Sequence, residues 1–197
     1  MRQGTFFAAM VVALLGFAGA TAQAAPLQIT ITGTGSGTIG SNSFTSALFT
    51  IQLTGNTDNR VDPATNVYAI PLSLATIDIT GIGQATFTFT SRAFVNNNLA
   101  LAGFSKDFFG DGSSGPDILD VDGAPFATWD MTTNVGPVFD AALHPVGQAQ
   151  NLDTTLGALS FSAYSNGTYT AVVPEPTGVL LVAAALPLAM RRRRRAS

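Results

Sequence analysis

The sequence predicts an all-β fold, an antiparallel β-sandwich for which a jelly-roll-like topology is one option. Two observations predict it. Apolar and polar residues alternate with a period of two over many short segments, which is typical of strands with one buried face. The stretch 25–173 is rich in Gly, Thr, Ser and Asn, contains no Glu and has a single Lys, so strong helix formers are scarce.

The alternation also predicts which side chains form the core. Further strands, with a less regular pattern, are expected at residues 66–71, 99–104 and 127–132. The inward positions of the clearest strands give an expected core of Ile29, Ile31, Phe49, Ile51, Ile77, Ile79, Phe87, Phe89 and Phe161.

The dipeptide Asn166-Gly167 lies between two alternating segments and predicts a two-residue β-hairpin of type I′. In that register Tyr164 faces Tyr169 across two neighbouring antiparallel strands. The second of these strands is expected to lead directly into Pro174.

Charged side chains are few and unevenly placed along the 197 residues, a length that suits one ordinary domain. Between residues 25 and 173 there are three basic and eleven acidic residues, a net charge of −8. This balance excludes a nucleic-acid binder, which needs basic residues on its body. The absence of Cys excludes disulfides, cysteine nucleophiles and Cys-ligated zinc.

Residues 1–24 have the pattern of a secretory signal peptide. Arg2 precedes an apolar run, and Ala22 and Ala24 form an A-x-A cleavage site. We expect signal peptidase to remove this segment during export, so that the mature chain begins at Ala25. The alternative is a short buried helix.

The other end of the chain combines a proline motif, an apolar run and a basic cluster. Pro174, Glu175 and Pro176 precede the apolar residues 179–190, which are followed by Arg191, Arg192, Arg193, Arg194 and Arg195. Twelve apolar residues are fewer than the roughly 20 that span a bilayer as a helix, but arginine side chains can snorkel and permit a short span. Because positive flanks stay cytoplasmic, a C-terminal transmembrane helix here places the body outside and the C-terminus inside.

This order of elements at the end of a chain resembles the PEP-CTERM sorting signal, over residues 173–195. The resemblance implies that an exosortase, a membrane-embedded transpeptidase-like enzyme, recognises Pro174, Glu175 and Pro176 in the segment 174–197. It implies a transmembrane helix at 179–190, with the arginines as the cytoplasmic stop. It also implies a Gram-negative-type bacterium, a transient stay in the inner membrane, and delivery to the cell surface or the extracellular matrix. The same tail is also classed as an ice-binding protein C-terminal domain, a name that describes the tail alone. The alternative is a plain anchor without a sorting enzyme.

A Gly-rich segment contains five aspartates within 16 residues. Carboxylates and backbone carbonyls are the ligands that Ca²⁺ prefers, although the spacing is not that of an EF-hand. The candidate calcium ligands are Asp111, Asp117, Asp120 and Asp122. The alternative is a solvated acidic loop that uses Asp and Gly for its turns. No other cofactor is expected.

Two further functions, ice binding and catalysis, have less support in the sequence. Two threonine rows lie on single strand faces, whereas an ice-binding surface needs such rows to repeat across several strands. They comprise Thr30, Thr32 and Thr34, and Thr86, Thr88 and Thr90. His144 is the only histidine, no nucleophile-elbow pattern occurs, and so no enzyme activity is expected.

The sequence therefore predicts an exported, surface-sorted, non-catalytic protein with a structural or adhesive role in the bacterial envelope or exopolysaccharide matrix. One alternative is a calcium-assisted carbohydrate-binding module, which exposed aromatic rings around Trp129 and Tyr68 would favour. The others are an ice-binding protein and a matrix glycosidase, the latter requiring two carboxylates that face each other in a cleft.

Overall fold

A computed structural model describes residues 25–141, 143–145, 151–165 and 167–174. All strand pairs in this part of the chain are antiparallel, which confirms the predicted all-β class. Short 3₁₀ helices lie at Thr57–Asn59 and Ala124–Ala127. The strands are β1 (Pro26–Ile39), β2 (Asn42–Asn56), β3 (Val61–Ala64), β4 (Val67–Ile79), β5 (Gly83–Thr86), β6 (Ser91–Asn96), β7 (Leu101–Lys106), β8 (Asp117–Asp122), β9 (Val135–Ala141), β10 (Leu143–Pro145), β11 (Leu159–Tyr164) and β12 (Gly167–Val172).

The strands form one curled sheet with the shape of a half-barrel. Its order is β10-β8-β7-β6-β4-β2-β1-β12-β9, while β11 pairs with β1, and β3 and β5 pair with β4. The long strand β4 joins two halves of this sheet, because its residues 67–71 pair with β6 and its residues 72–79 pair with β2. The 25–174 segment forms one compact unit.

The core follows the predicted alternation closely on β1, β2 and β4. Ile31, Ile51 and Ile77 lie side by side in the register and are 0–3% exposed. Of the nine expected core residues, seven are buried, while Phe89 and Phe161 are partly buried. Phe89 differs because it follows the end of β5, where the ammonium of Lys106 lies 5.1 Å from its ring centre.

The predicted hairpin between Tyr164 and Tyr169 is wrong. Both β11 and β12 pair with β1, one after the other, so that Tyr164 is opposite Gly35 and Thr168 is opposite Thr32. The fourteen residues of β1 offer one continuous edge to both short strands. Asn166 lies outside the described residues, but a Cβ at Gly167 would collide with the Thr32 carbonyl oxygen, so close approach to β1 explains this glycine.

The three less regular strand predictions have mixed outcomes. Residues 67–71 belong to β4, and β7 overlaps the predicted segment 99–104. The strand predicted at 127–132 is wrong, because this segment leaves the 3₁₀ helix as a turn. Side-chain contacts hold the turn: the amide of Asn97 donates to the Trp129 carbonyl at 2.8 Å, and the indole of Trp129 donates to the Thr133 carbonyl at 2.8 Å.

Candidate functional site

The four candidate calcium ligands lie on a loop and on a strand. Asp111 is exposed on the loop that precedes β8, whereas Asp117, Asp120 and Asp122 lie on β8 itself. Within the described residues, no group of three or more His, Asp or Glu side chains is close enough to hold an ion. The described structure thus does not gather these carboxylates, because a strand spreads its side chains along its length. The shared calcium site stays a prediction from the sequence.

The aspartate loop, residues 107–116, is instead built around Asp107. Its side chain is buried, and its carboxylate oxygens accept hydrogen bonds from the backbone amides of Phe109, Gly110 and Gly112, at 3.3, 3.0 and 2.9 Å. Its own backbone amide donates to the Thr90 carbonyl. The Asp107 carboxylate is thus the centre of the hydrogen bonds that organise the loop.

Arg92 holds the other side of the aspartate loop from its position on β6. Its guanidinium donates to the carbonyl oxygens of Gly112 and Gly115, at 2.7 and 3.4 Å, and to the hydroxyl of Ser105 at 2.8 Å. Sequence reasoning missed both Arg92 and Asp107. The available signals were the rarity of basic residues in the body and the Asp-Phe-Phe-Gly-Asp-Gly pattern of an Asx turn.

The electrostatics of this loop follow from burial. Desolvation raises the pKa of the half-buried Asp117 carboxyl, and the positive charge of Arg92 opposes this shift. Desolvation also lowers the pKa of Arg92, against the attraction of Asp117, Asp107 and Asp111. The pKa of the exposed Asp111 is lowered by hydrogen bonds from Ser113. The guanidinium of Arg92 therefore provides a positive charge near these carboxylates. The calcium hypothesis assigned that role to a metal ion.

The aromatic residues named for sugar binding are not exposed platforms. Trp129 is 4% exposed and packs with Phe126 and Tyr169. Tyr68 is partly buried, with the guanidinium of Arg60 4.7 Å above its ring. The exposed tyrosine is Tyr164, at the end of β11, which is 46% exposed.

A groove lies where β1 is flanked by irregular pairing on both edges. The register with β2 shifts between Gly35 and Gly37, and the register with β11 shifts between Ser36 and Gly37. Such bulges bend a strand and increase its twist, which opens a concave surface. We call this surface the hydroxyl groove. It has a volume of about 300 Å³, and the hydroxyl side chains along it are Ser36, Thr38, Ser43, Thr45, Ser160 and Ser162.

The hydroxyl groove continues along β1 towards Tyr164. Ser36 also lines an adjoining cleft of about 170 Å³, whose wall includes Thr34, Tyr164 and Ser165. The hydroxyl oxygen of Ser36 accepts from the backbone amide of Ser46 at 2.9 Å, which fixes the β2 bulge. No charged side chain lines either part.

The threonine rows extend across strands. We use the name threonine face for the outward positions of β12, β1 and β2. In the register Thr168 is opposite Thr32, which is opposite Thr50. A second row places Thr170 beside Thr30 and Gln52. The row expected at Thr86, Thr88 and Thr90 does not form one strand, because β5 ends at Thr86 and the hydroxyl of Thr90 binds the Asp107 carbonyl.

The remaining candidate residues lie mostly beyond the described residues. These include the cleavage-site residues Ala22 and Ala24, the sorting-motif residues Glu175 and Pro176, and the five arginines. His144 is opposite Asp120 in the pairing of β10 with β8. Within the described residues, no helix has the length and hydropathy needed to cross a membrane.

Strand pairing and one side-chain hydrogen bond hold the C-terminal end of the 25–174 unit. Gln28 near the start of β1 is opposite Val172 at the end of β12. The next residue, Val173, donates its backbone amide to the side-chain oxygen of Asn134 at 2.7 Å. Strand pairing therefore continues almost to Pro174, and both ends of the 25–174 unit lie side by side.

Comparisons with known proteins identify no family: no protein-family model, curated protein or solved structure matches this chain.

Proposed function

We propose that this is an exported, surface-sorted, non-catalytic protein with a structural or adhesive role in the bacterial envelope or exopolysaccharide matrix. The observation that carries the proposal is the order at the C-terminus: Pro174-Glu175-Pro176, twelve apolar residues and five arginines. The signal-peptide pattern of residues 1–24 supports the export step of this proposal. Its partners on this route are signal peptidase, an exosortase-type enzyme and the membrane.

The geometry of the junction supports a tail that is processed close to the membrane. Only residues 174–178 separate the anchored Val173 from the apolar run, and five residues span at most about 18 Å. Pro174 and Pro176 stiffen this short connection. An enzyme that cuts within residues 174–178 would therefore act within five residues of the last hydrogen-bonded position of the folded unit.

A single substitution tests the sorting route. Glu175→Ala should abolish delivery to the cell surface while signal-peptide removal continues, because the two signals act separately. Fractionation with detection of the body measures both steps, and Thr177→Ala is the control outside the Pro-Glu-Pro motif. Unchanged surface delivery of Glu175→Ala would remove the exosortase from this proposal.

We further propose that the two halves of the curled sheet act as the layers of a β-sandwich. Support comes from a core that both halves share. Phe49 of β2 and Phe104 of β7 line the same small apolar cavity, of about 20 Å³, together with Leu119 of β8 and Leu159 of β11. Continuity through β4 makes a closed jelly roll the less suitable description.

Ice binding is a second candidate function, and the threonine face favours it. One of its rows has threonine on all three strands and the next has threonine on two, with Gln52 on the third, at the 4.7–4.9 Å spacing of paired strands. Threonine side chains are restricted at χ1, so their hydroxyls and methyls hold fixed positions.

Recrystallisation of ice in the presence of the full chain tests this candidate. Inhibition that is lost in Thr32→Tyr and kept in Thr65→Tyr, at an exposed turn, would support it. Ice growth that the unmodified chain does not alter would reject it.

A further inference from the structure

We propose that the hydroxyl groove binds a segment of a neutral polysaccharide. The inference deepens the proposed function, on which it rests for the presence of such a polymer around the exported protein. It differs from the carbohydrate site considered from the sequence in three respects: it needs no calcium, it does not use Trp129 or Tyr68, and it lies at the bulges of β2 and β11 on the two sides of β1.

The absence of charge along the groove selects a neutral ligand. None of the side chains that line the groove or its adjoining cleft is Asp, Glu, Lys, Arg or His. A phosphate or carboxylate ligand would lose its hydration shell there without gaining an opposite charge, and so would a cation. The 25–173 stretch has a net charge of −8, which disfavours polyanions further.

The hydroxyl groups match the chemistry of sugars. Thr38 is opposite Ser43 on one side and Ser160 on the other, which sets three hydroxyls in a row across three strands. Within the described residues, the hydroxyls of Thr38, Ser43, Thr45 and Ser162 make no hydrogen bond to protein. Each hydroxyl both donates and accepts, as each sugar hydroxyl does, so the two can pair in either direction.

The backbone beneath these hydroxyls is held on both sides. Residues 37–39 pair with β2 on one edge and with β11 on the other. The buried ring of Phe44 meets that of Phe161 edge-on, with ring centres 5.7 Å apart, and a Cβ at Gly37 would lie 3.0 Å from Phe44. Because the backbone is already held in place, ligand binding would lose little backbone conformational entropy.

Tyr164 lies beyond the end of the groove, opposite Gly35, where it borders both the adjoining cleft and the small apolar cavity of the core. Its side chain is 46% exposed and lines the adjoining cleft beside Ser165. A tyrosine ring offers an apolar face to the C–H groups of a sugar and a hydroxyl at its edge. A groove of about 300 Å³ is at the lower end of the size of ligand sites, which suits one or two sugar rings of a longer chain.

Affinity gel electrophoresis of the full chain tests the proposal. The detergent is of the polyoxyethylene type, because the sugar headgroups of alkyl-glycoside detergents would compete for the groove. Native gels are cast with a neutral glucan, a neutral galactomannan or the anionic polymer alginate. We expect retardation by at least one neutral polymer, with and without chelator, and none by alginate.

Two variants locate the site. Ser43→Glu, which puts a charge into the groove, and Tyr164→Ala, which removes the aromatic surface, should each weaken retardation at least tenfold. Their matched controls are Thr65→Glu, at the turn between β3 and β4, and Phe139→Ala, which removes a ring that is 71% exposed on β9. Melting curves establish that each variant is folded; a variant that unfolds is replaced by Ser162→Glu or Tyr164→Ser.

Three results would overturn the proposal: no retardation by either neutral polymer, equal retardation by alginate, or the same loss of binding in the controls as in the groove variants. Surface delivery is measured separately with Glu175→Ala. A protein that is sorted correctly but binds neither neutral polymer would thus reject the groove and leave the sorting proposal standing.

Discussion

The sheet formed by β1, β2 and β4 and the aspartate loop are built by different forces. In the sheet, apolar side chains alternate with threonines, and backbone pairing runs over thirteen residues of β1 with β2. In the loop, the Asp107 carboxylate and the Arg92 guanidinium make hydrogen bonds to backbone amides and carbonyls that lie outside the strands. Many small, repeated contributions therefore stabilise the first region, whereas two polar side chains hold the second.

The largest expected effect is in the regular sheet. Ile31→Ala should lower the free energy of unfolding by about 2–5 kcal/mol, because Ile31 is 0% exposed and its loss leaves a cavity. Thr32→Ala, one residue on and on the opposite face, should cost less, about 0.2–1 kcal/mol, because it loses only its cross-strand pairs with Thr50 and Thr168. Chemical denaturation measures both, and equal losses would contradict the assignment of faces.

A smaller, local effect is expected in the aspartate loop. Asp107→Ala leaves the buried amide of Gly112 without its acceptor, which costs about 1–3 kcal/mol. Hydrogen exchange should accelerate at residues 108–114 and stay unchanged in β1. Asp111→Ala is the control, since its carboxylate is exposed, and an equal effect of both substitutions would show that Asp107 does not organise the loop.

The smallest expected effect is a change in pH dependence. Burial raises the pKa of Asp117 in the fold, so the folded state binds a proton more tightly than the unfolded state. The stability contributed by this proton is present below the ordinary Asp pKa, near 3.9, and is lost as the pH rises through the higher folded value. Melting temperatures are measured between the ordinary Asp pKa and the higher folded value. As the pH rises, the melting temperature of Asp117→Asn should fall less steeply than that of the unmodified chain. Parallel curves would mean that Arg92 cancels the effect of burial.

Sequence periodicity predicted the regular half of the fold well. The inward positions of β1, β2 and β4 were correct because a two-residue repeat permits only one assignment of faces. It failed at Asn166-Gly167, where local turn preference indicated a hairpin and the long edge of β1 instead paired with both strands. It failed again around Trp129, where spacing resembled a strand and side-chain contacts with Asn97 fixed a turn.

The candidate sites divide in the same way. The calcium hypothesis counted carboxylates along the chain, but β8 separates them and Arg92 supplies the positive charge. The hydroxyl groove could not be predicted from the sequence, because its serines and threonines lie on three separate strands. Only the strand register around Gly37 brings them close together.

By itself, the sequence determined the strand faces, the low positive charge of the body and the order of motifs at both ends, because each of these depends on residues that are near neighbours in the chain. Only the tertiary structure decided which strands share the edge of β1, which aspartate centres the loop and where hydroxyls gather. These depend on pairing between residues far apart in sequence, such as Gly35 with Tyr164, and no local pattern encodes that choice.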